Sequence, residues 1–279
     1  MNGAWYERRR YPWRLRPTPY RVLVSEIMLQ QTQASRVGPA FGRFVRTFPS
    51  LRALADAPRA EVVRAWAGLG HNRRAVALHE AARAVVRDHG GRIPADPTVL
   101  QDLPGIGPYT AAAVAALGFG RPVPALDVNV TRVVARHRLG SDGASPDDVR
   151  AAARRWLDRA DPAGWNQALM DLGRDVCRPM PRCGSCPLAR GCRFRRAGAA
   201  PHRRPSRRGR FAGSSREARG RVVSLLRERS PQGLATLWSG ADMDRDRVTE
   251  AVRALHRDGL IRAGPAALAG RPSGRVRLA

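Results

Sequence analysis

Lysine is absent from this chain: all 50 of its basic residues are arginine. Chemistry that runs through a Schiff base on a lysine amine is therefore excluded. Acidic residues are scarce too, 23 against those 50, which leaves a formal charge of +27 at pH 7. Such an excess points to a polyanionic partner, most commonly nucleic acid, although arginine-rich composition also raises the charge of unrelated proteins. Aromatic residues make up only 6% and hydrophobic residues 43%, a balance that suits a helical core of Ala, Val and Leu. No run approaches about 18 uninterrupted apolar residues, so no transmembrane helix and no membrane partner are expected. The opening "MNGAWYERRRYPW" lacks the apolar segment of a signal peptide. A cytoplasmic, nucleoid-associated monomer is the expectation. Cysteines number only four, and in that compartment they are not expected to pair as disulfides.

What is present falls into three stretches. Residues 1–192 read as one all-α domain in which capped, apolar-periodic segments recur, as in "SLRALADAPRAEVVRAWAGLG" and "RRAVALHEAARAVVRDHGG". No convincing strand stands out there. From Arg193 to Arg219 ten arginines face a single acid, Glu217, among Gly, Pro, Ala and Ser, which reads as a basic linker over 193–213. Residues 214–279 then show three helical patterns followed by two short strand-like pieces. That order predicts a winged-helix-like module with its third helix as candidate DNA reader, against the alternative of a small helical protein-interaction domain.

Three segments carry chemistry. In "TPYRVLVSEIMLQQTQ", Thr18 and Pro19 form a cap and first turn, and Leu23, Val24, Ile27 and Met28 make a buried stripe. Glu26 sits on this apolar helix, either in a surface ion pair with an arginine or as a cleft carboxyl whose pKa is raised until it donates a proton. In "LPGIGPYTAAAVAALGFG", Gly105 and Gly107 permit a tight hairpin and Pro108 opens the next helix. Two short helices joined this way form a helix-hairpin-helix, whose exposed amides seat a DNA phosphate without reading sequence. In "VPALDVNVTRVVARHRLG", Asp127 precedes a helix, as an ordinary N-cap or as a fixed negative charge aimed at a cation forming on a substrate. Cys177, Cys183, Cys186 and Cys192 are spaced C-x5-C-x2-C-x5-C, a metal site for zinc or for a [4Fe–4S] cluster.

Together these segments resemble the helix-hairpin-helix DNA glycosylases, specifically the MutY-like A/G-specific adenine glycosylases. "AWAGLGHNRRA", "HGGRIPADP", "LDVNVTRV" and "NQALMDLG" add to the likeness, which covers residues 5–192. The resemblance implies two helical lobes with an iron–sulfur loop and an enzyme that flips a base from a mismatched or damaged duplex and hydrolyses its glycosidic bond. It implies that Glu26 protonates the flipped adenine and polarises water, that Asp127 stabilises the sugar cation, and that Tyr109 and Asn129 are their companions. It makes Gln31 the wedge that fills the vacated stack, with Thr32 near the opposite base, and places Trp13, Leu29 and Asp171 around the adenine pocket. Trp13 and Leu29 would also pack in any core. The four cysteines become ligands of a [4Fe–4S] cluster. In related endonuclease III-type enzymes a lysine that cuts the strand occupies the place of Tyr109, so a monofunctional glycosylase in base-excision repair is implied.

Three departures qualify this. Where the family usually has two tyrosines after "GLG", this chain has His71 and Asn72, so His71 replaces the residue that inserts beside an opposite 8-oxoguanine. The first cysteine gap is one residue shorter than usual. Residues 214–279 have neither the length nor the strand content of the family's Nudix-like domain. A same-fold glycosylase for mismatched or damaged pyrimidines, and a non-catalytic iron–sulfur DNA-binding protein, are the alternatives.

Overall fold

A computed structural model describes residues 11–201 and 211–279. Its helices are α1 Pro19–Leu29, α2 Ala34–Thr47, α3 Leu51–Asp56, α4 Arg59–Ala65, α5 Arg73–Asp88, α6 Pro97–Gln101 and α7 Pro108–Ala113. There follow α8 Val128–Val134, α9 Pro146–Trp156, α10 Pro162–Asp175 and α11 Arg193–Arg196. The C-terminal stretch runs α12 Ser215–Glu228, β1 Gln232–Gly233, α13 Leu234–Ala241, α14 Arg245–Arg257, β2 Ile261–Ala263, α15 Pro265–Leu268 and β3 Arg275–Leu278. No strand occurs among the described residues before 211, as the sequence pattern predicts. No described helix is long and apolar enough to cross a membrane.

The chain divides into two compact units, each built from two segments: Met1–Glu26 with Ile93–Ser206, and Ile27–Arg92 with Arg207–Ala279. The first unit centres on α8, α9 and α10. Val130, Val133, Val134, Val149, Trp165 and Leu169 are buried together in its core. Two close approaches in this unit need glycine. At Gly173 of α10 a Cβ would lie 2.6 Å from the Asn129 Cβ and 2.7 Å from the Asn129 carbonyl oxygen. At Gly118, which ends the π-helical turn after α7, a Cβ would lie 2.9 Å from the Cα of Pro19. Backbones therefore pack there with nothing between them.

The second unit joins α2–α5 to the C-terminal stretch. Phe44 packs edge-on against Phe48 and Trp66, with ring centroids 5.0 and 5.8 Å away. Helices α12, α13 and α14 are accompanied by an antiparallel sheet in the order β1-β3-β2. Their core is continuous with Val63 and Val76 of the first segment. Arg227 of α12 donates to the Val63 carbonyl at 3.0 Å, and Arg59 donates to that of Gly259 at 3.3 Å. Helix α14, the expected DNA reader, faces outward with both signs, and its Glu250 pairs with Arg253 and Arg257.

The start of the tether differs from the compositional reading. Arg193–Arg196 form α11, with Phe194 buried beneath the Arg136 guanidinium, 4.9 Å from ring centroid to cation. One aromatic among arginines supplies the apolar anchor that averaged composition hides. Residues 202–210 of the expected linker lie outside the described residues.

Gly173→Ala is expected to cost about 1–3 kcal/mol, because the methyl group must push α8 from α10. Gly107→Ala, where an added Cβ meets nothing within 4 Å, is expected to stay within about 0.5 kcal/mol of wild type. Thermal denaturation of the two variants side by side checks both values.

Candidate active site

Thr18 starts α1 by accepting from the Arg21 amide at 3.3 Å. Every residue of that helix from Val22 to Met28 is buried. Glu26 is therefore 5% exposed, and the surface ion-pair reading of this residue is set aside. The Tyr109 hydroxyl of α7 donates to its Oε2 at 2.8 Å. Burial pushes the Glu26 carboxyl up to about 7, against the pull of that hydrogen bond and with a further push from the charge of Asp127. Tyr109 is held well above its ordinary value by burial and by the two carboxylates, so its hydroxyl remains a donor at neutral pH.

Asp127 is an N-cap, one of the two readings the sequence allows. It caps α8, its Oδ1 accepting from the amides of Asn129 at 2.9 Å and Val130 at 2.7 Å. Its Oδ2 accepts from Asn129 Nδ2 at 2.9 Å. The cap is what fixes the carboxylate's direction. The strand-like run before it is pinned by Asn166 of α10, fully buried, which accepts from the Ala125 amide at 2.7 Å and donates to the Val123 carbonyl at 3.0 Å. Burial raises the pKa of Asp127 as well, against four favourable influences: the amides of Val130 and Asn129, the Asn129 side chain and the Arg132 cation. Among the described residues the two carboxyls differ in support: Glu26 receives the Tyr109 hydroxyl, and Asp127 receives three N–H donors.

The hydrogen-bond chain continues outward. Arg132 donates to Asn129 Oδ1 at 2.8 Å, to the Gly173 carbonyl at 2.7 Å and to the Cys177 carbonyl at 2.7 Å. Cys177, Cys183, Cys186 and Cys192 line one cavity together with Arg136 and Phe194. All four are free thiols. Arg136, 2% exposed, closes the loop by donating to the carbonyls of Arg178 at 2.6 Å and Pro179 at 2.9 Å and to Cys177 Sγ at 3.8 Å.

Trp13 and Asp171 are buried in the same unit, at 6% and 5% exposure. Trp13 stacks on Tyr11, with centroids 4.8 Å apart and planes 2° from parallel. Arg14 grips Asp171 with two hydrogen bonds of 2.8 and 3.2 Å, and Arg174 adds a third contact at 2.8 Å. In the hairpin between α6 and α7, buried Leu103 and Ile106 anchor an exposed tip. Gly105 there has a φ of 75° and so needs to be glycine, whereas Gly107 is extended at −87° and does not.

The remaining sequence candidates belong to the second unit. Leu29 and Thr32 are half-buried; Gln31 and His71 are exposed and both left-handed, with φ of 55° and 44°.

With this geometry in view, comparison with known proteins becomes informative. Residues 24–159 match the family model described as HhH-GPD superfamily base excision DNA repair protein. An adenine DNA glycosylase of Mycobacterium tuberculosis is 43% identical over 90% of this chain and 86% of its own length. The chain belongs to the adenine DNA glycosylase family. Another such relative, from Mycolicibacterium smegmatis, is 40% identical over 92% of this chain and 90% of that protein. The human adenine DNA glycosylase is 40% identical over 69% of this chain and 38% of its own length. Among solved structures, a thermostable thymine-DNA glycosylase superposes with a TM-score of 0.64 and 31% identity, covering 68% of this chain and 90% of that one. A non-covalent endonuclease III–DNA complex gives 0.58 at 22% identity, over 66% of this chain and 87% of the other, which shows the shared fold.

Against this family background, residues that sequence reasoning passed over come into focus. Arg132 was legible as the position three after Asn129 on a helix, the spacing at which side chains meet. Asn166 lies inside "NQALMDLG", but the two partners that pin the run before Asp127, Val123 and Ala125, precede it by some forty residues and leave no local signal. Arg14 and Arg136 are two among 50 arginines, and only their burial separates them from the rest.

Burial of Glu26 has a stability consequence with a definite sign. Its folded-state value of about 7 exceeds the ordinary 4.5, so the folded protein holds this proton more tightly than the unfolded chain does. The stabilisation is complete below the ordinary value, drains away as pH rises towards about 7, and is gone above it. Glu26→Gln is therefore expected to stabilise the protein at pH 8 by about 1–3 kcal/mol and to give no gain at pH 4.5. Melting temperatures of the two proteins at those pH values check this.

Proposed function

We propose that the protein is a monofunctional DNA glycosylase that removes adenine mispaired with 8-oxoguanine or guanine. The observation that carries this reading is the buried Glu26 carboxyl, held protonatable near neutral pH with the Tyr109 hydroxyl 2.8 Å away and Asp127 fixed nearby. Such a pair divides acid and electrostatic roles between two carboxyls. Protonated Glu26 delivers its proton to a ring nitrogen of the extruded adenine. The glycosidic bond then breaks with its electron pair leaving on the base, and Asp127 faces the oxocarbenium-like sugar. Water adds to C1′ and its proton passes to the Glu26 carboxylate, which restores the acid. Asn129 and Tyr109 hold the two carboxyls in place.

Support for a duplex DNA partner comes from the charge of +27, from the hairpin between α6 and α7 with its exposed amides, and from the fold shared with an endonuclease III bound to DNA. The absence of lysine and the presence of Tyr109 support hydrolysis without strand cutting. A pyrimidine substrate is the second reading, favoured by the likeness to a thymine-DNA glycosylase. The acid at Glu26 favours adenine, since a purine leaves readily once its ring nitrogen is protonated.

The cysteine cavity fits a [4Fe–4S] cluster. Its four thiols converge from one loop, and Cys186 is held up by burial and by the other three sulfurs, a repulsion that a cationic core would relieve. When bound, the cluster supplies a rigid cross-link for the loop. Arg136 and Arg132 then hold that loop against α8.

Single-turnover base release from duplexes carrying A opposite 8-oxoguanine, G or C, and U or T opposite G, tests the assignment. Adenine release is expected, with Glu26→Gln lowering the rate by at least about a hundredfold and strand breaks appearing only after alkali. Release from the pyrimidine duplexes alone would establish the second reading. The free enzyme's kcat/KM is expected to fall as pH rises through about 7, where Glu26 loses its proton.

A further inference from the structure

Within the second unit, the turn after α1 and the turn before α5 each hold a non-glycine residue in the left-handed region, Gln31 at 55° and His71 at 44°. Each such residue costs on the order of 1–3 kcal/mol and persists only where its surroundings over-determine it. Both side chains are exposed, so their own packing does not hold them there.

One cation holds both turns. Arg74, on the first turn of α5, donates through Nη1 to the carbonyls of Ile27 at 2.9 Å, Met28 at 2.8 Å and Gln30. These belong to the C-terminal end of α1, where carbonyls lack intrahelical partners. Its Nη2 donates to Thr32 Oγ1 at 2.9 Å, to the Gly70 carbonyl at 3.2 Å and to that of Leu69 at 3.4 Å. Its Nε reaches the His71 carbonyl at 3.4 Å, and the guanidinium lies 5.5 Å from the Trp66 ring centroid. Every partner that α1 and the two turns offer is a carbonyl or hydroxyl; none is a carboxylate. Asn72, next to His71, is held from the other side by Arg227 of α12 at 3.0 Å.

We infer that Arg74 is a positioning residue that presets Gln31 and His71 as a coupled pair, ready to enter the base stack when a nucleotide is extruded. The inference rests on the glycosylase reading above. The strain of the two left-handed residues is met in the free protein, so it is not charged against DNA binding. A planar guanidinium spans both turns at once; a lysine ammonium, with three donors at one point, does not.

Arg74→Lys tests this with two readouts. Amide hydrogen exchange on the free protein is expected to quicken in residues 30–33 and 69–72 together, with the middle of α5 unchanged. Base release at saturating enzyme is expected to fall about 10- to 100-fold on a duplex whose target adenine is paired. Where the target adenine faces an abasic site, and extrusion needs little help, it is expected to fall less than about threefold. Exchange confined to one turn, or an equal loss of rate on both duplexes, overturns the inference. Wild type that releases no base from either duplex sinks the glycosylase reading instead, and the exchange result then still decides whether Arg74 couples the two turns.

Discussion

The burial of one carboxyl group organises this protein. Glu26 stands in a helix whose residues from Val22 to Met28 are all inside, so water is denied to it on every side of its own helix. An ionised carboxylate there is expensive, and the phenolic donor from Tyr109 repays only part of the cost. The group answers by keeping its proton to about pH 7. The apolar stripe that drives folding of α1 and the acidity that suits base release thus come from the same residues.

The second carboxyl is handled differently. Asp127 receives the backbone amides of the helix it begins, so the cost of holding its charge is shared with the cost of starting α8. From there Asn129 and Arg132 carry the constraint to the Cys177 carbonyl, and Gly173 lets α10 approach closely enough for Arg132 to reach it. Two side chains, Asn129 and Arg132, tie the aspartate to the cysteine loop. Disturbing the loop would be felt at the aspartate.

The C-terminal stretch packs into the core of the second unit. Its helices α12–α14 and its three-stranded sheet share one apolar core, and Glu250 of α14 pairs with Arg253 and Arg257. Its apolar side meets Val63 and Val76, and Arg227 reaches Asn72 beside the left-handed His71. In this chain the module is part of the core of the second unit and braces one of its exposed turns.

Local rules wrote much of this in the sequence. The Thr18-Pro19 start of α1, the stripe from Leu23 to Met28, the Asp127 cap, the left-handed Gly105 and the absence of lysine all follow from neighbouring residues, because capping, periodicity and backbone sterics act over a few positions. The same reasoning found α12, α13 and α14 but misjudged Arg193–Arg196, since one buried Phe194 outweighs the composition around it. Tertiary structure alone decided which of 50 arginines are buried and what they grip: Arg14 on Asp171, Arg74 between two turns, Arg132 and Arg136 on the cysteine loop. It also decided that Glu26 faces Tyr109, 83 positions later. A guanidinium or a carboxyl is chemically the same wherever it stands in a sequence. What distinguishes one from another is the dielectric and the partners around it, and those are assembled only when distant segments meet.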